Sequence, residues 1–357
     1  MKKSIFYKSF ATLILALTFQ SAKAQGNNDQ PKIPIGVETK NSLVESYIKK
    51  LKEVYIFPEI AIASESKIRE FQKTDAYKNA DDAFGFAKVM TENLRTIIND
   101  KHIGLRYDPN AKPGKQTKAE EKAEQENFRL AMSKRNFGFP KVEVLRGNIG
   151  YLKVDGFAPV DFAGKTASFA MEYLSNTDAL IIDLRENHGG EPAMVQYLAS
   201  YFFDKKPVHL NDLYYREGNK TEQYWTLKKL PGSRYTNKAV YILTSNETFS
   251  GGEEFANDLK ELKRGIIIGE NTGGGANPGD MVDLDSGFSA FIPNGRAINP
   301  ITKTNWEGVG VAPDIKTDPK NALSEAHILA LTKLLETSND EMAKRFYQRN
   351  LDLLKKQ

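Results

Sequence analysis

The chain has 357 residues, 40% hydrophobic and 27% charged, enough apolar side chain for one large domain plus a smaller one without a disulfide or metal staple. It has no cysteine, which excludes a thiol nucleophile, a thiolate metal site and a lipid-modified cysteine. The formal charge of +4 comes from Lys2, Lys3, Lys8 and Lys23. The remainder balances its basic against its 46 acidic residues, so a nucleic-acid partner is not expected.

Residues 1–24 have the three parts of an export signal: the leading lysines, the apolar run Phe10–Phe19, and the small-x-small sequence Ala22-Lys23-Ala24. Cleavage is expected before Gln25, with the mature protein periplasmic or extracellular. The apolar run falls short of the roughly 20 residues that span a bilayer. Residues 25–40, with Gly26, Pro31 and Pro34, read as a disordered lead.

Between residues 41 and 110 the apolar positions fall at helical spacing. Leu43, Val44, Tyr47, Ile48, Leu51 and Val54 form one stripe and Phe84, Phe86, Ala87, Met90, Leu94 and Ile97 another, which predicts a small helical unit. It leads through Asp100-Lys101-His102-Ile103-Gly104-Leu105 into a short extended stretch. Residues 111–140 follow as a link; their stretch 111–134, dense in Lys, Glu and Gln, reads either as a solvated helix or as a loose linker, the linker being preferred.

From 141 to 335 strands and helices alternate. Strands are expected at Ile149–Phe157, Ala179–Leu184, Val240–Leu243 and Gly265–Gly269, and helices at Lys165–Ser175, Pro192–Phe203 and Gly251–Leu262. That order predicts βαβ units in an α/β core. Two hairpins interrupt it, Leu213–Leu227 and Met281–Ile298, the second with a turn at Asn294-Gly295. Residues 336–357 read as a closing amphipathic helix.

Two segments of this core carry chemistry. In Val240–Asp258 a buried strand runs into a helix that opens at Ser250, so the hydroxyl lies where unpaired amides and the helix dipole favour negative charge. The same residues also fit a plain capping box, Ser250 with Glu253. In ALIIDLRENHGG a second strand ends in Gly189-Gly190, a turn whose amides, with that of Gly251, would supply an oxyanion hole at the carboxyl ends of the strands.

These strings, TSNETFSGGEEFANDLK and DLRENHGG, together with DKHIGL and WEGVGVAPDI, resemble in their order the S41 peptidases. That family includes tail-specific proteases, the tricorn core and the interphotoreceptor retinoid-binding repeats. The resemblance implies a crotonase-like (ClpP/crotonase) core behind an N-terminal helical cap. It also implies a peptidase without metal or organic cofactor, acting on a peptide or protein. The tail-specific branch uses a lysine base after the nucleophile helix, but no lysine occurs here between Lys263 and Lys303. The tricorn-like branch places its histidine, serine and glutamate at His102, Ser250 and Glu307, with Lys101 where that branch has a serine. His188, beside the glycine turn, is the competing base; His209 and His327 lie in segments without catalytic signal. Only residues 108–146 separate the two regions, too few for the PDZ domain of the tail-specific branch. The expected function is a secreted serine endopeptidase acting through an acyl-enzyme on Ser250. The alternative is a non-catalytic binding protein for an apolar small molecule or peptide on the same scaffold.

Overall fold

The computed structural model describes residues 32–111 and 117–356; the expected export signal lies outside these residues. In chain order, helices α1 (Val37–Val54), α2 (Pro58–Phe71), α3 (Asp75–Lys78) and α4 (Ala83–Ile98) precede strand β1 (Gly104–Tyr107) and helix α5 (Lys118–Ser133). Strands β2 (Lys141–Leu145) and β3 (Ile149–Lys153), helix α6 (Val160–Tyr173), strand β4 (Ala179–Asp183) and helix α7 (Pro192–Ala199) come next. Then follow β5 (His209–Tyr215), β6 (Lys220–Trp225), β7 (Ala239–Thr244), helix α8 (Gly251–Glu261) and β8 (Ile266–Gly269). The chain closes with β9 (Gly279–Asp285), β10 (Phe288–Pro293), β11 (Gly295–Ile298), β12 (Ile315–Lys316), α9 (Pro319–Thr337) and α10 (Glu341–Leu354). The protein is thus mixed α/β with a helical N-terminal region and a central sheet.

The chain forms two compact units. The first comprises the described residues up to Phe128 with Leu213–Glu222 and Gly275–Ala297; the second comprises Arg129–Asp212, Gln223–Gly274 and 298–356. The core therefore does not run unbroken from 141 to 335. Two excursions leave it for the helical unit, because β10 completes a sheet there: β1 pairs antiparallel with β10 (Gly104 opposite Phe291), and β10 with β9.

In the first unit the apolar stripes of α1 and α4 meet. Leu43, Tyr47, Leu51, Phe86, Met90 and Leu94 are buried together with Phe288 and Ile292 of β10. Each such side chain removed from water contributes roughly 1.5–3 kcal/mol, before the entropy of ordering the chain is set against it. The described part of the expected disordered lead is ordered. Ala83 N–H donates to Ile33 O, Ile35 N–H to Asp81 O, and α1 begins at Val37. Lys40 explains why: its buried ammonium donates to the carbonyls of Tyr77 (3.2 Å), Lys78 (3.0 Å) and Ala80 (3.3 Å), caps that no apolar periodicity announces.

The hairpin expected to turn at Asn294-Gly295 turns instead at Asp285-Ser286-Gly287, whose φ values of 71°, 54° and 79° supply the left-handed backbone that a tight turn requires. Asn294 and Gly295 link β10 to β11, both of their N–H groups donating to Pro278 O. Of the two readings of residues 111–134, the solvated helix is the one formed: α5 buries only Met132.

The second unit is built on a six-stranded sheet in the order β12-β8-β7-β4-β3-β2. β3, β4, β7, β8 and β12 run parallel, and β2 pairs antiparallel with β3 at one edge. All five residues of β4 are buried, as strands covered on both faces require. One face packs on Ala322, Ala326, Ala330 and Leu331 of α9 and on Tyr347 and Leu351 of α10. No helix among the described residues is long and apolar enough to cross a membrane.

Candidate active site

The carboxyl ends of β4 and β7 lie side by side, Asp183 opposite Leu243. Beyond them the chain is held by side chains rather than by sheet hydrogen bonds. Thr248 Oγ1 donates to Leu184 O (2.8 Å), Ser245 Oγ to Arg185 O (2.5 Å), and Phe249 N–H to Asn187 O (2.9 Å). The residue after Phe249 is Ser250, half-buried, at φ 54° and ψ −120°. An ordinary N-cap takes extended dihedrals. Ser250 does not, and a non-glycine residue in this region costs of order 1–3 kcal/mol, which the surrounding structure must hold in place. The glutamate arm of the capping box is made, Ser250 N–H donating to Glu253 Oε2 at 2.9 Å, while Glu253 N–H donates to the main-chain carbonyl of Ser250 at 2.9 Å. Capping and a strained corner coexist.

The Gly189-Gly190 turn packs directly on this corner. A Cβ at Gly189 would lie 2.7 Å from Ser250 Cβ and 2.8 Å from Gly251 N, and one at Gly190 would lie 2.2 Å from Phe157 O. Their φ values, 97° and 139°, are glycine's. A Cβ on Gly251 would stand 3.2 Å from Gly190 N, so that amide and the start of α8 are neighbours. Ser250, Gly251, Gly189 and Gly190 therefore come together. The amides differ in use, however: Gly189 N–H donates to Asn187 Oδ1 at 2.8 Å. Asn187 is the residue that sequence reasoning passed over. It is fully buried, its Nδ2 donates to Val154 O at 2.9 Å, and it spans the glycine turn and the serine corner.

Glu253 extends the construction to the segment bearing Glu307. Its fully buried carboxylate accepts from Ser250 N–H through Oε2 and, through Oε1, from Thr272 Oγ1 (2.5 Å) and Gly274 N–H (2.6 Å). Gly308 N–H in turn donates to Gly274 O at 3.0 Å, and Glu307 N–H to Asn305 Oδ1 at 3.0 Å. On the opposite side of the corner Glu191 follows the glycine turn, and burial pushes its carboxyl up to about 7. Within α8, burial pushes Glu254 to about 7 and raises Asp258.

His102 belongs to the first unit. Its side chain is 11% exposed, its ring lies 6.0 Å from that of Phe291, and its backbone N–H donates to Asp100 Oδ1 at 3.0 Å. Burial lowers its pKa from the ordinary imidazole value, Arg95 acts in the same direction, and Asp100 opposes both. A neutral imidazole near neutral pH is the state in which it can accept a proton. Burial also lowers His188, against Glu247, while His327 Nε2 meets Arg146 O at 2.7 Å and His209 pairs with Asp212 at 2.7 Å and stacks on Trp225 at 4.2 Å.

A serine at positive φ on a strand-to-helix turn at the carboxyl ends of a parallel sheet, with a glycine turn packed on it, is an arrangement that can present a hydroxyl to a substrate. Residues 148–317, just under half of the chain, match the family described as peptidase family S41, which supports a serine-type peptidase. The chain is 27% identical over 180 residues to the chloroplastic C-terminal processing peptidase of Tetradesmus obliquus, covering 48% of this chain and 36% of that protein. It is 33% identical over 103 residues to the tail-specific protease of Haemophilus influenzae, covering 27% and 13%. The match thus spans well under half the length of either relative. In fold the chain is similar to a candidate peptidase from Parabacteroides merdae (17% identity, TM-score 0.55, covering 78% of this chain and 90% of that one). It is likewise similar to mature CPAF (13% identity, TM-score 0.54, covering 90% and 97%).

Proposed function

We propose that this protein is an exported serine endopeptidase with a crotonase-like core that cleaves peptide bonds through an acyl-enzyme on Ser250. The observation that carries the reading is the backbone of Ser250, held at φ 54° and ψ −120° against the Gly189-Gly190 turn. Strain of this kind persists where the surroundings over-determine it, and it turns a side chain out of the helix start toward a substrate.

In the acylation step Ser250 Oγ forms a bond to the scissile carbonyl carbon while its proton passes to the imidazole of His102. Charge develops on the carbonyl oxygen, which the amides of Gly190 and Gly251 receive; Gly189, whose amide serves Asn187, acts by leaving room. The C–N bond then breaks and the imidazolium returns its proton to the leaving amine. Water repeats the sequence on the acyl-enzyme. Glu307 is the acidic member that balances the imidazolium charge. The protein's own groups suffice for each step.

Intact-mass analysis after a fluorophosphonate probe is the test. One adduct, mapped to Ser250 and absent in Ser250→Ala, is expected. No adduct under conditions that label a control serine hydrolase would favour the binding-protein alternative.

A further inference from the structure

We infer that Asp100 is a positioning residue for His102, its carboxylate holding the imidazole with the proton on Nδ1 and the lone pair on Nε2. This rests on His102 being the base proposed above, and it concerns a residue that the sequence motifs did not single out.

Asp100 is 1% exposed, and both of its oxygens accept from groups of its own unit. Oδ2 accepts from Tyr55 Oη (3.1 Å) and from Asn277 Nδ2 (3.0 Å), and Oδ1 accepts from the backbone N–H of His102 (3.0 Å). These donors come from the end of α1, from the segment before β9 and from the histidine itself, so the carboxylate cannot swing. The same Oδ1 lies 3.8 Å from His102 Nδ1. That is too long for a direct hydrogen bond in the resting geometry and short enough for the charge to decide which ring nitrogen carries hydrogen. A lone pair on Nδ1 facing a carboxylate oxygen is repelled, and an N–H is attracted. Phe291 lies beside the ring, with centroids 6.0 Å apart and planes tilted by 30°.

With Nδ1 protonated, Nε2 is the atom that takes the Ser250 proton, giving an imidazolium whose Nδ1–H still faces Asp100; the Nε2 proton then leaves with the amine. The charged groups that act on the ring within this unit are Asp100, which favours the imidazolium, and Arg95, which opposes it and is itself tied to Ile103 O at 2.8 Å.

Nitrogen-15 imidazole NMR of the full chain tests this, since the sequence has only four histidines and His102→Gln assigns the resonance. The wild type should show His102 with a pyrrole-type Nδ1 and a pyridine-type Nε2 above its titration. In Asp100→Asn the ring should titrate lower by roughly half a unit or more, while Glu307→Gln keeps the wild-type tautomer. Probe labelling of Ser250 should slow on the order of 10²- to 10⁴-fold in Asp100→Asn, with its pH profile displaced in the same direction. An Nε2–H tautomer in the wild type, or an unchanged titration in a folded Asp100→Asn, overturns the inference. If Asp100→Asn does not fold, the wild-type tautomer alone decides. A wild type that the probe does not label overturns the peptidase reading, and the tautomer still reports on Asp100.

Discussion

The corner at Ser250 and the corner at His102 are held by opposite means. Around Ser250 the backbone does the positioning: a Cβ at Gly189 or Gly190 would collide with main chain, one at Gly251 would press on Gly190, and the serine is fixed in dihedrals it would not otherwise adopt. Around His102 side chains do the positioning: one buried carboxylate collects donors from Tyr55, Asn277 and His102. The first arrangement tolerates no added atom and the second tolerates losing one hydrogen bond in three. Catalytic geometry set by sterics is brittle, and geometry set by a hydrogen-bond network degrades in steps.

The largest effect expected from this difference is that of Gly190→Ala. Its Cβ would sit 2.2 Å from Phe157 O at a φ of 139°, so the backbone must shift and take the Gly190 amide with it. Loss of one oxyanion donor alone typically costs on the order of 10²- to 10³-fold, and labelling of Ser250 in the variant should slow at least that much. A folded Gly190→Ala labelled within a few-fold of wild type would falsify the steric account of this corner.

Glu253→Gln should come next. One amide oxygen and one NH2 would replace two acceptor oxygens that serve Ser250, Thr272 and Gly274, leaving a donor facing a donor. Chemical denaturation should show a loss of about 3 kcal/mol, and labelling should slow as the serine corner loosens. Unchanged stability with unchanged labelling would mean that the strain at Ser250 is maintained by the glycine turn alone.

The smallest effect should be that of Tyr55→Phe, which removes one donor to Asp100 and keeps the edge-on contact with Phe57 at 5.9 Å. A cost of about 1 kcal/mol by denaturation and a labelling rate within a few-fold of wild type are expected, because Asn277 still donates to the same oxygen. A collapse of labelling here would erase the contrast between the two corners.

The same contrast explains what could be read from the sequence. Strands β4, β7 and β8 were legible because burial on both faces leaves continuous apolar runs, and the start of α8 was legible because its glycines and serine are punctuation. The pairing of β1 with β10 was not, since it joins Gly104 to Phe291 and each strand is too short for its alternation to stand out. The Asn294-Gly295 pair carried the stronger turn signal, yet the left-handed dihedrals fell to Asp285 and Ser286. Ser250 and the glycine turn emerged at the site level. Asn187, which takes the Gly189 amide, and Asp100 did not, because a buried polar residue announces itself by its partners and these are distant in sequence or are main chain. Lys40 was hidden in the same way, and with it the order of residues 32–40.

The helix α5 has a consequence of another kind. Only Met132 of its 16 residues is buried, so the helix contributes little to either hydrophobic core. Each doubling of a flexible connection costs only about 0.6 kcal/mol in closure entropy. The stretch between β1 and β2 is therefore where descendants of this chain, natural or engineered, can gain or shed an entire module while both hydrophobic cores stay as they are.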